Sequence, residues 1–176
     1  MPADTTTYRV DELIDELDEQ LDAIADEAAS TDDPEQRQAL DQQGMNLEQQ
    51  LTAFEELAEE HGERSELTIA EFTADERMRF GDLLEAAREQ AEQRAGFEAG
   101  SSMREVYWVG AGVVDAPWLA GDENMQERIA KTRAAADWDV IQHLRSKVTE
   151  ANTKGNPERK SYAERRAARA QQNEPS

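Results

Sequence analysis

The stretch VDELIDELDEQLDAIADEA, residues 10–28, decides the architecture. Its apolar positions Val10, Leu13, Ile14, Leu17, Leu21, Ile24 and Ala28 recur three and four residues apart, with Asp and Glu filling most of the places between. That period marks an amphipathic helix, and its seam is too narrow to build a thick core alone. Such a helix needs a partner. After Ser30 to Asp33 break the pattern, Asp33-Pro34-Glu35-Gln36 offers an N-cap, a proline at the first helical position and a Gln three residues past the cap. A second helix is expected there, with Leu40, Leu47, Leu51, Phe54, Leu57 and Ala58 as its seam and His61-Gly62 as its stop. Two seamed helices joined by a short loop predict an antiparallel hairpin over residues 10–62. Residues 1–9 are read as a disordered start.

Beyond Gly62, Leu67, Thr68 and Ile69 alternate weakly, which predicts a short extended segment over 66–72. Thr73-Ala74-Asp75-Glu76 then reads as a capping box opening a third helix, with Phe80, Leu83, Leu84, Ala87 and Ala91 on one side. Ser102-Met103-Arg104-Glu105 repeats the signal for a fourth helix, the most apolar part of the chain, carrying Met103, Val106, Tyr107, Gly110, Val113 and Val114 and ending before Pro117. Gly110 and Gly112 cost about 1 kcal/mol each against Ala in a helix, which is tolerable where another helix comes close. A short fifth helix bears Met125 and Ile129. A sixth, capped by Asp137, is expected to put Trp138, Ile141, Leu144 and Val148 on one face. The prediction is an all-α protein: an acidic helical hairpin at 10–62, a small bundle at 63–155 and a basic tail at 156–176.

Composition narrows function. The 176 residues include 40 Asp or Glu against 19 Lys or Arg, a formal charge of -21. A basic surface for phosphate is missing, so direct nucleic-acid binding is not expected. There is no Cys, and only His61 and His143. Thiolate chemistry is thereby excluded and imidazole metal sites are poorly served. His143 beside an apolar face and His61 before a helix-ending glycine have ordinary structural roles, and the carboxylates of the first helix read as a solvated face. No phosphate loop, nucleophile elbow or H-E-x-x-H occurs, so neither an enzyme nor a cofactor is expected. No apolar run approaches the roughly 20 residues of a membrane helix, which predicts a soluble intracellular protein without a membrane partner. Arg outnumbers Lys 15 to 4. Dense carboxylate with few Lys suits a halophilic host, an acidic coiled coil from an ordinary cytosol being the alternative.

Charge is also segregated. Residues 1–100 hold 29 acids and 7 bases, whereas residues 145–169 hold 8 bases and 3 acids. The basic stretch, with Arg159, Lys160, Arg165, Arg166 and Arg169, is either a solvated tail or an arm for an acidic partner or neighbour, so homo-oligomerisation is open. Among the aromatics, Trp108 and Trp138 read as core plugs. Trp118, following Pro117 in a turn, either folds back onto the bundle or serves as an anchor for a partner.

From about Leu67 to Val148 the chain resembles the tail assembly chaperones of long-tailed viruses of bacteria and archaea. The resemblance rests on Leu67 to Phe72 entering a helix at Thr73 to Arg77, on an apolar helix running into Val113-Val114-Asp115-Ala116-Pro117-Trp118-Leu119, and on a last helix opened by Asp137-Trp138-Asp139-Val140-Ile141. It covers under half of the chain, and the acidic hairpin is a departure. It implies a non-enzymatic protein of the host cytoplasm, absent from the mature particle, that keeps the tape measure protein soluble while tail-tube subunits assemble. It also implies a longer frameshifted product. Met103, Tyr107, Val114, Pro117, Trp118 and Leu119 are the expected partner-binding residues. An acidic helical capsid scaffold and a halophilic coiled-coil adaptor are the alternatives.

Overall fold

A computed structural model of the chain describes residues 4–95, 100–153 and 162–172. Thr5–Arg9 forms strand β1, which runs directly into helix α1, Val10–Ser30. After a three-residue turn, α2 covers Pro34–His61 and leads to strand β2, Glu66–Ala70. Helix α3 spans Ala74–Ala95 and α4 spans Ser101–Gly112, followed at once by strand β3, Val113–Asp115. Helices α5, Met125–Ala135, α6, Trp138–Asn152, and α7, Tyr162–Gln172, complete the order.

Helix dominates, and the capping arguments hold at three starts. Asp33 accepts the Glu35 N–H at 3.0 Å, Thr73 and Glu76 exchange bonds across the start of α3, and Asp137 accepts the Asp139 N–H at 2.8 Å. The expected box at Ser102 and Glu105 is not used. Helix α4 begins at Ser101 without a side-chain cap, and Glu105 instead ties α4 to α6 through Gln142 and Arg145.

The all-α expectation needs correction on one point. A three-stranded antiparallel sheet in the order β1-β2-β3 lies within the helical body. Residues 5–9, expected to be disordered, pair with β2 from Thr5 opposite Ala70 to Arg9 opposite Glu66. Three consecutive Thr and a Tyr favour an extended chain. Val113 and Val114 leave the expected helix because β2 offers a free edge and two β-branched residues suit it; Ile69 faces Val113.

The sheet fixes the topology. β1 and β2 are adjacent antiparallel strands, and what joins them is the whole α1/α2 pair. The Val10 N–H donates to Ser65 O at 2.9 Å and the Asp11 N–H to Glu63 O at 3.0 Å, closing the base of that excursion. Gly62, at φ 98°, makes the turn out of α2. Near the base the helices are part of the core. Val10, Leu13, Leu17, Phe54 and Ala58 join Leu67, Ile69, Leu144 and Val148 in one buried cluster. Burying a Leu or Phe side chain contributes about 2 kcal/mol each, so this shared cluster fixes the root of the arm. Farther out Leu21, Ile24, Leu47 and Leu51 are only half-buried, and the arm is two helices thick.

Close helix approach explains the glycines of α4. A Cβ on Gly110 would lie 2.7 Å from the Ile129 Cα, and one on Gly112 would strike Val148. These are the contacts that seat α4 against α5 and α6. Trp108, expected as a core plug, is half-buried against the core: it meets Phe72 and Phe80 edge-on at 5.0 and 5.2 Å and donates its indole N–H to Thr149 Oγ1 at 3.1 Å. Asn152 closes the far end of α6. Its Oδ1 accepts the Phe72 N–H at 2.7 Å, and its amide donates to Val148 O at 2.9 Å.

Candidate functional site

The one-face spacing on α4 carries Met103, Val106 and Tyr107 to the surface between α3, α5 and α6. Two concavities meet there. One, of about 300 Å³, is lined by Leu83, Ala86, Ala87 and Gln90 of α3, Tyr107 of α4, and Ile129, Ala130, Arg133 and Ala134 of α5, with Gln126 at the edge. The second, of about 410 Å³, is shallower and is lined by Ser102, Met103, Val106, Tyr107, Arg133 and Trp138. Tyr107 and Arg133 border both, so the two adjoin on one face and together make up the groove of this surface. Its walls are mainly apolar side chains, and among the described residues its cationic lining is Arg133. Ser102 and Tyr107 bring the hydroxyl groups of this lining, and no His, Asp or Glu is among its described residues. What it can do is bury apolar surface.

Of the six expected partner-binding residues, Met103 and Tyr107 line the groove. Val114, Pro117, Trp118 and Leu119 do not. The turn holding the last three is fastened from below. The Leu119 N–H donates to Ala116 O at 2.9 Å, and the Ala120 and Gly121 N–H groups donate to the Glu123 carboxylate at 2.6 and 2.8 Å. Lys131 pairs with the same carboxylate. The Lys131 bond, with help from the Ala120 N–H, holds the Glu123 carboxyl down to about 2. Trp118 folds back: half-buried, it donates its indole N–H at 3.0 Å to Oγ1 of the fully buried Thr132. Arg128 secures the other side by bonding Ala111 O at 3.1 Å, and burial lowers its pKa.

Trp138 behaves in the opposite way. The expected core plug is 44% exposed and stands at the groove's edge. Its spacing to Ile141 and Leu144 suggested the buried face, but burial along α6 is complete only from Val140 onward and Trp138 is the first helical residue. On its far side it borders a second, polar depression with Asn46, Gln49 and Gln50 of α2. Of the two alternatives for Trp118 the structure has the fold back onto the bundle, whereas Trp138 departs from the expected core plug. Hydrophobic period locates a face, and it does not tell where the neighbouring helices end.

Of the basic residues, Arg165, Arg166 and Arg169 lie exposed on α7, and Arg159 and Lys160 fall outside the described residues. His143 is buried, with its ring 5.2 Å from Phe54 edge-on. Among the described residues no group of three or more His, Asp or Glu side chains is arranged to hold a metal ion, and no helix is long and apolar enough to cross a membrane.

No protein-family model matches the chain, and neither curated proteins nor solved structures give a significant match.

Proposed function

We propose that the chain is a non-enzymatic assembly chaperone that holds an apolar helical client in the groove between α3, α4, α5 and α6. The observation that carries this reading is the groove itself, two adjoining and mainly apolar concavities bounded by Met103, Val106, Tyr107 and Trp138 on a protein whose charge is -21. An amphipathic client helix gains affinity from such a groove, and the acidic exterior opposes co-aggregation of the loaded complexes. The resemblance of residues 67–148 to tail assembly chaperones supplies the client: the tape measure protein of a long-tailed virus, with the tail-tube protein as a further partner, in the host cytoplasm.

The test is co-expression with the neighbouring tape measure candidate. Trp138→Ala and Met103→Asp are expected to keep the fold and to lower client solubility, because an exposed anchor truncated to Ala typically costs about 2 kcal/mol of binding. Trp118→Ala is expected to lower stability, because it orphans the buried Thr132 hydroxyl. A client equally soluble with both groove variants removes the groove as the site. The exposed arginines of α7 favour a second reading, a capsid scaffold whose basic end grips the shell. Co-assembly with a major capsid protein, with the tape measure left insoluble, would establish that reading instead.

A further inference from the structure

We propose that the groove between α3 and α5 selects client helices that carry two carboxylates about two turns apart, paired with Arg79 and Arg133, on either side of an apolar stretch. This rests on the client reading above and names the chemistry of that client. Arg133 stands on an otherwise uncharged wall, in line with Gln126, Ile129, Ala130 and Ala134 on one face of α5, and it borders both concavities. At the other end, Arg79 of α3 lines a hollow of about 150 Å³ that adjoins the larger concavity through Leu83 and Gln126, which border both. A cation therefore stands at each end of the α3/α5 stretch. Gln126 and Arg133 are seven residues apart on α5, so the apolar stretch between the two cations is about 10 Å long.

Both arginines are exposed, and among the described residues neither makes an ion pair or a side-chain hydrogen bond. The other two cations of α5 are engaged, Lys131 with Glu123 and Arg128 with the carbonyls of Glu123 and Ala111. Of the acids on adjoining elements, Glu105 is held by Gln142 and Arg145, and Asp137 caps α6. On a chain of charge -21, two unpaired guanidinium groups flanking an apolar groove reverse the general field at that one place. The protein's own helices do not suit it. Helix α7 brings Arg165, Arg166 and Arg169 against the single carboxylate of Glu164, which is the wrong charge. Helices α1 and α2 are acidic, but they turn their apolar seams to each other and to the core. The occupant is therefore a separate helix with carboxylates at i and i+7, whose apolar residues at i+3 and i+4 lie over Tyr107.

The experiment titrates the full chain with synthetic leucine- and alanine-rich peptides of about 20 residues, long enough to form helices in water. The probes are twins that carry Glu or Lys at i and i+7, and binding is followed by anisotropy of a label on the peptide at one salt concentration. Bulk attraction to so acidic a protein predicts that the Lys peptide binds more tightly. Docking between Arg79 and Arg133 predicts the opposite, a preference of about tenfold for the Glu peptide. Arg79→Gln with Arg133→Gln is expected to abolish that preference, and Arg79→Glu with Arg133→Glu to reverse it, with helicity of both variants checked by circular dichroism. Equal binding of the twins, tighter binding of the Lys peptide, or a preference that survives the Gln variant overturns the proposal and leaves the apolar groove standing. If neither peptide binds, the client groove falls, and this inference with it.

Discussion

His143 shows how one side chain can couple this fold to pH. It is 6% exposed, its Nε2 has no hydrogen-bond partner, and it packs on Phe54 of α2. Burial, reinforced by the nearby Lys147 charge and opposed by Glu16, pushes its pKa from 6.5 down to about 4. The unfolded chain therefore binds the proton first as pH drops. Stability is whole above about 6.5 and declines as the pH falls toward 4, by about 2 kcal/mol for this group at pH 4.5. Denaturant unfolding at pH 7.5 and 4.5 should show that loss in wild type and less of it in His143→Phe, which keeps the aromatic contact and removes the titration. Gly110 makes the second argument at this scale. A methyl group there meets the Ile129 backbone rather than a movable side-chain tip. Gly110→Ala is accordingly expected to destabilise by about 2 kcal/mol in chemical denaturation, overpacking outweighing the gain in helix propensity. Both residues were legible in outline, His143 as structural and Gly110 as a close approach, because each follows from its place in a helical period. The contrast between Trp118 and Trp138 was not, since it depends on where Thr132 and the end of α6 lie in space.

Among the elements, helices α1 to α6 were readable, whereas α7, read only as part of a basic tail, and two of the three strands were not. Helix seams and caps are local signals, carried by residues three and four apart. β2 also announced itself, through Leu67 and Ile69. β1 has only Tyr8 and Arg9 half-buried and β3 has three residues, so neither could show an alternation of its own. Their pattern is borrowed from β2. The bonds that flank the β1/β2 ladder, Glu71 N–H to Asp4 O and Val10 N–H to Ser65 O, fix its alternation, so the Thr6 and Tyr8 amides point toward β2. Thr6→Pro removes one of those donors and is expected to cost about 1–3 kcal/mol. Amide exchange should then speed up along Leu67 to Ile69. Unchanged protection there would mean that β1 contributes nothing to holding β2.

For the whole molecule, charge sets the conditions of folding. A formal charge of -21 sits on a chain whose arm exposes carboxylates on both helices, with Lys147 to Glu16 as an ion pair from α6 to α1. Self-repulsion on that scale is relieved by salt, because the Debye length shrinks from about 10 Å at 0.1 M to about 3 Å at 1 M. The melting temperature should rise steeply from dilute buffer to molar KCl, and a melt indifferent to salt would argue against a protein adapted to brine. The topology has another consequence. Because α1 and α2 together occupy the place of a turn between β1 and β2, the length of the arm is a quantity the rest of the fold does not set. The Gly44 Cβ position faces Ile24 Cγ2 at 3.7 Å, so residues 21–27 lie across from 41–47 and could leave as a matched pair of heptads. The arm would shorten by about 10 Å with the sheet in place, losing Leu47 from the edge of the buried cluster and Asn46 from the depression beside Trp138. Reach can thus drift over generations independently of the machinery at its root, as with a telescoping boom whose cab stays the same.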